Sequence, residues 1–384
     1  MHEPRSRHAA RRTRQRRRRR NAALGAGVVV VAAATTAYLT AGRGGTPTDA
    51  APAHIKASTV VGPSTTAPAR HREPAGTVTL AFAGDVHFTQ RTAGRLGVDP
   101  ALGPLSPVLS AADFSMVNLE SAITTRGTPE PKLYHFRTPP QALDALRRSG
   151  VDAVTMANNH AVDYGPQGLT DTLAAAHASP IPVVGIGADD TEAYRPYLTE
   201  VNGVRLAVLA ASQVQDLTNA RFRAGPGSPG IASALDRPRL VHAVRAARAR
   251  ADVVVVYLHW GTEGQSCPGP EQRSLAAELS AAGATAVVGT HAHVMLGSGM
   301  LGPTYVAYGF GNFLWYGSSP YPHSDETGVT TLTVTHGRVT AAAFAPALVD
   351  GHGVPAPQTG AAAERITTRH EQLRQCTGLA PAPR

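Results

Sequence analysis

The chain has few cysteines and few charged residues, which argues against a thiolate metal site and against a disordered protein. It also shows no internal repeat. Only two cysteines, Cys267 and Cys376, occur in 384 residues, and a single pair at this spacing is not a metal motif. An oxidising compartment would permit the two to pair, but the spacing does not show that they are close. Charged residues make up 16% of the chain against 42% hydrophobic residues, which favours a globular protein with a sizeable core.

Excess positive charge is confined to one end of the chain. Ten of the 36 basic residues but only one of the 27 acidic residues, Glu3, lie within the first twenty positions. The rest of the chain holds 26 of each sign and is neutral, so the first twenty positions account for the whole net charge of +9. A basic arm directly before an apolar run is typical of the cytoplasmic flank of a membrane segment. We therefore expect no nucleic-acid partner.

The apolar run occupies residues 22–41 and is uncharged. About 19 residues are close to the minimum for a helix that spans a bilayer. The many Ala, Gly and Thr residues make the run only moderately apolar, so a cleaved signal peptide is the alternative. In either case the positive-inside rule places the arm, residues 1–21, in the cytoplasm and the later residues outside it. We expect a single-pass cell-membrane protein whose folded domain is extracytoplasmic.

The remaining sequence predicts a linker, one folded domain and a tail. Residues 42–76 are rich in Pro, Thr and Ala without a hydrophobic period, which is typical of a flexible, disordered linker. Through residues 77–347, short β-branched runs alternate with Ala- and Leu-rich helical stretches, which predicts an α/β layered fold. Residues 348–384 are rich in Gly, Pro and Ala, and we expect this tail to pack lightly or not at all.

The expected elements can be placed along the domain. Strands are predicted near 77–83, 114–118, 152–156, 182–184, 253–258 and 285–288, and helices near 140–149, 166–178, 236–250 and 271–282. Two hairpins are predicted at Asn202-Gly203 and His336-Gly337. One short helix is possible in the tail, near 361–374.

Five polar clusters follow predicted strands, where open α/β sheets place their ligands. They are Gly84-Asp85-Val86-His87, Asn118-Leu119-Glu120, Asn158-Asn159-His160, His259-Trp260-Gly261 and His291-Ala292-His293. Taken singly, each is as well explained by a turn cap, a polar loop or a packed histidine. Together they supply the carboxylates, amide and imidazoles that a pair of hard divalent metals about 3.5–4 Å apart needs. Their common order and placement favour a metal site.

The order Asp-x-His, carboxylate, Asn-His, His, His-x-His resembles that of calcineurin-like metallophosphoesterases. Finer motifs are similar to the CapA family of capsule and poly-γ-glutamate synthesis proteins, a branch of that superfamily. These motifs are FAGDVHF, VNLESAIT, MANNHAVDYGPQGLTDT, YLHWGTE, GTHAHV and YGFGNFLW, which run from residue 82 to residue 315. The resemblance implies a four-layer α/β-β/α sandwich of the metallophosphatase type, preceded here by one transmembrane helix.

The resemblance also implies a role for each matching residue. Two divalent ions, with Mn, Fe, Zn and Mg all open as identities, would be held by Asp85, His87 and His293 on one side and by Asn159, His259 and His291 on the other, bridged by Glu120. The catalytic residue would be His160, which matches the histidine that stabilises the transition state or protonates the leaving group. That role suits a side chain that titrates near neutrality.

Other matching positions are open between support of the ligands, contact with substrate and plain structure. They are Asn118, Asn158, Asp163, Trp260, Glu263 and Asn312. Two departures stand out: many relatives lack a histidine at the place of His87, and the usual HPHV-x-Q reads HAHVML here, so a Gln contact is missing. Arg91 follows the first ligand loop and either meets an anionic substrate or is a solvated surface residue.

From these observations we expect a membrane-anchored protein of capsule or poly-γ-glutamate synthesis that acts as a dinuclear-metal hydrolase on a phosphoester or related anionic bond. Two alternatives stay open: a non-catalytic scaffold of an envelope polymer complex, and a general metallophosphoesterase unrelated to capsule. The complete ligand set and the presence of His160 favour an enzyme. The expected partners are an anionic polymer or phosphoester substrate, the membrane and other capsule-synthesis membrane proteins.

The predicted topology can be tested with a reporter enzyme fused after residue 60. Moving ten arginines across a bilayer is strongly unfavourable, so we expect reporter activity only outside the cytoplasm. Activity inside the cytoplasm would contradict the predicted localisation. A soluble, shortened product would reject the anchor and support the cleaved signal peptide.

Overall fold

Two β-sheets packed face to face form the centre of the computed structural model, which describes residues 76–316 and 320–383. The predicted basic arm, the membrane segment and nearly all of the linker lie outside these residues. Among the helices that the model does describe, none combines the length and apolarity needed to cross a membrane.

The first sheet joins parallel and antiparallel strands. In spatial order its strands are β18 (Pro355–Pro357), β17 (Arg338–Val349), β16 (Glu326–Thr335), β1 (Thr77–Val86), β2 (Phe114–Leu119), β5 (Ala153–Thr155) and β6 (Val183–Val184), with β15 (Asn312–Leu314) also beside β1. The run β1-β2-β5-β6 is parallel, whereas β16 and β17 pair antiparallel with their neighbours. The carboxyl ends of the parallel strands therefore meet at one edge of the sheet.

The second sheet has a parallel centre and antiparallel edges. In spatial order its strands are β13 (Met295–Leu301), β14 (Thr304–Phe310), β12 (Ala286–His291), β11 (Val253–Trp260), β9 (Val204–Ser212) and β8 (Tyr197–Val201). Two short pairs stand apart, namely β3 (Ala122–Ile123) with β4 (Arg137–Thr138) and β7 (Ile186–Gly187) with β10 (Gly230–Ile231). The hairpins predicted at Asn202-Gly203 and His336-Gly337 are confirmed as the turns β8-β9 and β16-β17.

Helices cover the outer face of each sheet. The α-helices are α1 (Ser106–Ser110), α2 (Gln141–Arg148), α3 (Gly165–His177), α4 (Asp190–Ala193), α5 (Leu217–Phe222), α6 (Arg237–Arg248), α7 (Pro270–Ala281) and α8 (Gly360–Leu373), and the short 3-10 helices are Gln90–Gly97, Gly103–Leu105 and Arg374–Cys376. The four helices predicted in the domain are confirmed, each within two residues at both ends. Asp236 caps α6 by accepting the Arg239 N–H at 3.2 Å, and Pro238 occupies the first turn.

Three apolar cores lie between these layers. Alternate residues of β1 separate two of them: Phe82 packs against the second sheet, and Ala81 packs toward α2 and α3. In the same way Val255 faces the first sheet, and Val254 faces α6 and α7. This period-2 alternation produces the layer order helix, sheet, sheet, helix. The α/β layered fold predicted from the sequence is confirmed.

The expectation that residues after 347 pack lightly is wrong. β17 runs to Val349 and β18 pairs with it, so these residues extend the first sheet. α8 buries Ile366, and a Cβ at Gly297 of β13 would lie 2.4 Å from the Leu373 carbonyl oxygen. Met300 and Ala380 exchange two backbone hydrogen bonds at 2.8 and 2.9 Å. Close approach through glycine and backbone pairing needs few large apolar side chains, so composition does not reveal it.

A disulfide fastens the same region. Cys267 and Cys376 are bonded, with Cα atoms 5.8 Å apart and a sequence separation of 109. The pairing that the sequence left open is therefore confirmed. The bond ties the residues after α8 to the loop that follows β11.

Reduction of this disulfide should lower stability. In the chain-entropy model a closed loop of this length is worth up to about 4–5 kcal/mol. We expect guanidinium unfolding of the parent to move to a lower midpoint on reduction, and the double variant Cys267→Ser/Cys376→Ser to unfold there with or without reductant. Two free thiols in the unreduced, denatured parent would contradict the bond.

Candidate metal centre

The polar clusters predicted from the sequence meet where the central strands of both sheets end. Asp85 lies opposite Asn118 of β2 and Asn312 of β15 in the first sheet. In the second sheet the parallel register of β11 and β12 places His259 and His291 at neighbouring strand ends. Direct contact joins the two sets, because the His291 N–H donates to Asp85 Oδ2 at 3.3 Å. Both sheets thus contribute to one site.

Candidate ligand atoms gather here in three overlapping groups, each with its atoms within 4.8 Å of one another. The groups are Glu120 with His259 and His291, Asp85 with Glu120 and His293, and Glu263 with His291 and His293. Glu120 belongs to the first two groups and lies between them. That is the place the sequence assigned to a bridging carboxylate.

Glu120 provides a test of whether these residues fit a metal. Its side chain is fully buried, and neither carboxylate oxygen has a hydrogen-bond partner. The nearest imidazole nitrogens, Nε2 of His259 and Nε2 of His160, lie 3.7 and 3.8 Å from Oε1. A buried carboxylate without a partner is strongly unfavourable. A divalent cation bound by this carboxylate together with His259 and His291 would satisfy it, so the residues fit the ion that the family resemblance implies.

The neighbouring histidines are held in the neutral form that binds metals. Burial first, and then the charge of neighbouring histidines, lower the pKa of His291 to about 3 and the pKa of His259 well below its ordinary value. His291 Nδ1 is also buried without a hydrogen-bond partner. A neutral imidazole with an unsatisfied nitrogen is suited to coordination.

A chain of amides orients the first ligands. Asn158 Nδ2 donates to Asn118 Oδ1 at 2.9 Å, and Asn118 Nδ2 donates to Asp85 Oδ1 at 2.8 Å. Asn159 Oδ1 lies 2.7 Å from His259 Nε2, so the two residues predicted to share one ion are adjacent. Asn118 and Asn158 therefore support the ligands, which is one of the roles that the sequence left open.

His160 is oriented by a carboxylate and an ammonium group. Its Nδ1 lies 2.6 Å from Asp163 Oδ2, and Lys132 Nζ lies 2.6 Å from Asp163 Oδ1. The ring also stacks on Phe136, with centroids 4.2 Å apart. Because Asp163 takes the Nδ1 side, Nε2 is the nitrogen that lies near Glu120. Burial lowers the pKa of His160, and the charge of Asp163 opposes that shift.

Sequence reasoning missed Lys132. Its side chain is 15% exposed and donates to the backbone carbonyl of Asn159 as well as pairing with Asp163. One signal was available: Lys132 and Lys56 are the only lysines among 36 basic residues. A lysine at one of only two such positions in an arginine-rich chain is notable, because lysine and arginine side chains are not interchangeable when buried.

Two predicted site residues are not brought to the ligand groups. The ring nitrogens of His87 face the N–H groups of Thr89 and Tyr316, at 3.1 and 3.3 Å, and the ring packs among aromatic side chains. The implied ligand role of His87 therefore gains no support from the geometry. Arg91 is exposed and donates to the Gly351 carbonyl oxygen at 2.7 Å, which favours the surface role over a substrate contact.

The remaining predicted positions serve different ends. Asn312 Oδ1 lies 3.0 Å from His293 Nδ1, and its amide donates to the His293 carbonyl oxygen at 3.3 Å, so it orients that histidine. Trp260 is buried and donates to the Tyr308 carbonyl oxygen at 2.8 Å, which is a packing role. His291 and His293 have φ of +97° and +56°. Such values are rare for residues other than glycine and cluster at functional sites.

A family model described as bacterial capsule synthesis protein PGA_cap matches residues 79–316, more than half of the chain. The chain belongs to this family. The resemblance stated from the motifs is therefore confirmed.

Curated relatives agree with the assignment. The chain is 30% identical over 244 residues to the PGA biosynthesis protein CapA of Bacillus subtilis, covering 62% of this chain and 63% of that protein. It is 28% identical over 256 residues to the capsule biosynthesis protein CapA of Bacillus anthracis, covering 65% and 62%. The matches thus span less than two thirds of either relative. A novel phosphatase of Mycoplasma pneumoniae is a distant structural neighbour, with 14% identity, a TM-score of 0.44 and coverage of 71% of this chain and 94% of that one.

Replacing Glu120 by Gln should have opposite effects with and without metal. Burial, and then the charge of Asp85, raises the pKa of Glu120 well above its ordinary 4.5. The metal-free folded protein therefore binds more protons than the unfolded chain and loses stability as pH rises above about 4.5. Glu120→Gln removes that loss, and we expect the metal-free variant to be about 1–3 kcal/mol more stable than the metal-free parent at neutral pH.

The measurement is guanidinium unfolding in chelator from about pH 5 to 8, repeated with added Mn²⁺. Mn²⁺ should stabilise the parent by mass action and stabilise Glu120→Gln far less. Glu364→Gln, an exposed position on α8, is the matched control. An unchanged response of Glu120→Gln to Mn²⁺ would show that this carboxylate does not bind the ion.

Proposed function

We propose that this chain is a metal-dependent hydrolase of capsule or poly-γ-glutamate synthesis that cleaves a phosphoester or a related anionic bond. The observation that carries the proposal is the buried carboxylate of Glu120, which has no hydrogen-bond partner and lies beside the imidazoles of His160 and His259. A site built only for stability would satisfy such a group with protein donors.

The residues divide into those that would hold metal and those that act on protons. Asp85, Glu120 and His293 would hold one divalent ion, and Asn159, His259 and His291 the other, with Glu120 shared. When bound, such ions supply Lewis-acid stabilisation of developing negative charge and an activated water. The amide chain from Asn158 to Asp85 keeps the first carboxylate in place before substrate arrives.

His160 is the group that would move a proton. Asp163 accepts from Nδ1 and stabilises the protonated ring, so Nε2 is the atom that gives a proton to a leaving oxygen or takes one back. Lys132 holds Asp163 by its other oxygen, and the Phe136 N–H donates to Asp163 Oδ2 at 2.6 Å. The carboxylate is therefore fixed on both sides and cannot turn away from the ring.

The family and the N-terminal sequence support the proposed substrate class and the proposed location. The relatives are named for capsule and PGA biosynthesis, so we propose an anionic surface polymer, or a phosphoester intermediate in its synthesis, as substrate. The arginine-rich arm and the apolar run support a membrane-anchored protein with the domain outside the cytoplasm. Other capsule-synthesis membrane proteins are the proposed partners.

Glu120→Ala and His160→Ala separate the two roles in the proposed site. Glu120→Ala removes the shared ligand and leaves two dications to repel each other across the site, so metal content should fall. His160→Ala should keep the metal content and the fold, while turnover drops by about 10²–10⁴-fold. His242→Ala, an exposed histidine on α6, is the matched control for loss of an imidazole.

The measurements are metal content, melting temperature and turnover of a phosphoester panel by the full-length protein and its variants. If Glu120→Ala binds as much metal as the parent, Glu120 does not bridge the two ions. If His160→Ala is fully active on a confirmed substrate, His160 does not transfer the proton. If the parent hydrolyses nothing and His160→Ala supports normal polymer production in the native host, the scaffold hypothesis is favoured instead.

A further inference from the structure

The HWG-x-E motif extends beyond His259 to a carboxylate that the family resemblance leaves without a defined role. Glu263 lies in the loop after β11, and its carboxylate belongs to one of the three ligand groups, with His291 and His293. We infer that Glu263 is a metal ligand that completes the ion held by His293, at the place where the resemblance puts His87. The inference rests on the metal centre of the proposed function but not on hydrolysis.

Backbone contacts hold Glu263 beside the two histidines. The Gly264 N–H donates to the Ala292 carbonyl oxygen at 2.8 Å, so the loop is bonded to the residue between His291 and His293. Gly264 has φ +73°, and a Cβ there would lie 2.5 Å from the Tyr321 ring. A side chain at this position would be strained and would clash with Tyr321, so glycine allows the loop to lie directly against that ring.

Tyr321 fixes the carboxylate itself. The phenol donates to Glu263 Oε2 at 2.6 Å. A ligating carboxylate is commonly held by such a hydrogen bond, which sets the direction of its lone pairs. One carboxylate oxygen is thereby engaged by the protein, and the other is the one suited to a cation.

A second observation, independent of the acidic group, points to a ligand at this place. His291 is only 5% exposed, and its Nδ1 is buried without a hydrogen-bond partner. The ligand atoms of Glu263, His291 and His293 all lie within 4.8 Å of one another, so the unpartnered nitrogen and the Glu263 carboxylate belong to one cluster.

His87 does not supply the third side chain of that ion. Both of its ring nitrogens face backbone N–H groups, and its ring is enclosed by Phe136, Trp315 and Tyr316. Without it, Asp85, Glu120 and His293 provide three ligands of two types, and Glu263 adds a further oxygen from the open side. A hard divalent ion such as Mn²⁺ prefers this oxygen-rich set.

The test is Mn²⁺ binding to the full-length protein, followed by electron paramagnetic resonance and calorimetry, for the parent and Glu263→Gln. We expect Glu263→Gln to weaken one class of Mn²⁺ site by at least the 10–100-fold typical for loss of an outer-shell partner, and to leave the other class unchanged. Tyr321→Phe should weaken the same class by less. Glu364→Gln is the matched control, and the metal-free melting temperature of each variant is measured to show that it is folded.

His87→Gln distinguishes this assignment from the one that the resemblance implies. Parent-like Mn²⁺ binding by His87→Gln, with weakened binding by Glu263→Gln, supports Glu263 as the ligand. Parent-like affinity and stoichiometry in Glu263→Gln overturns the inference. Failure of the parent to bind Mn²⁺, Zn²⁺ or Fe²⁺ would overturn both this inference and the proposed metal centre. A parent that binds metal but hydrolyses nothing would overturn the hydrolase alone.

Discussion

The burial of Glu120 between two sheets is the constraint on which the rest of the site depends. Nearly every other polar side chain around it has a protein partner. The four asparagines contact each other, Asp85, His259 or His293, and Asp163 contacts Lys132 and His160. What stays unsatisfied is both oxygens of Glu120 and Nδ1 of His291. An arrangement that pairs the supporting groups and leaves the ligand atoms of one cluster unpaired fits the proposed divalent cation.

Because the candidate metal ligands come from both sheets, the site depends on the fold. Asp85 lies near the end of β1 and Glu120 directly follows β2 in the first sheet. In the second sheet His259 lies near the end of β11, and His291 ends β12. The apolar core between the sheets, with Phe82 on one side and Val255 on the other, sets how closely these strand ends approach. An ion bound there stabilises only the state in which the sheets are correctly packed, so metal binding contributes to folding stability.

Much of this could be predicted from the sequence, and the failures have identifiable causes. The helices and buried strands follow from local periodicity, and the clusters follow from their positions after strands. The ligand role of His87, assigned by analogy, stays a prediction, since its ring nitrogens face the N–H groups of Thr89 and Tyr316 and it joins none of the three ligand groups. The packing of the tail depends on glycines and backbone pairing, and the position of Lys132 depends on contacts distant in sequence. Neither leaves a local pattern.

The pair formed by Lys132 and Asp163 bears on whether the centre is catalytic or structural. Their side chains are 15% and 0% exposed. A buried ion pair is weak evidence for stability, since replacing one with packed apolar side chains is often neutral or stabilising. A scaffold that needed only a rigid fold would gain little from it. For His160 the same pair has a specific effect: it fixes the carboxylate that orients the ring and leaves Nε2 toward Glu120. The position of this charge pair therefore supports the proposed proton transfer at His160 more than it supports a purely structural centre.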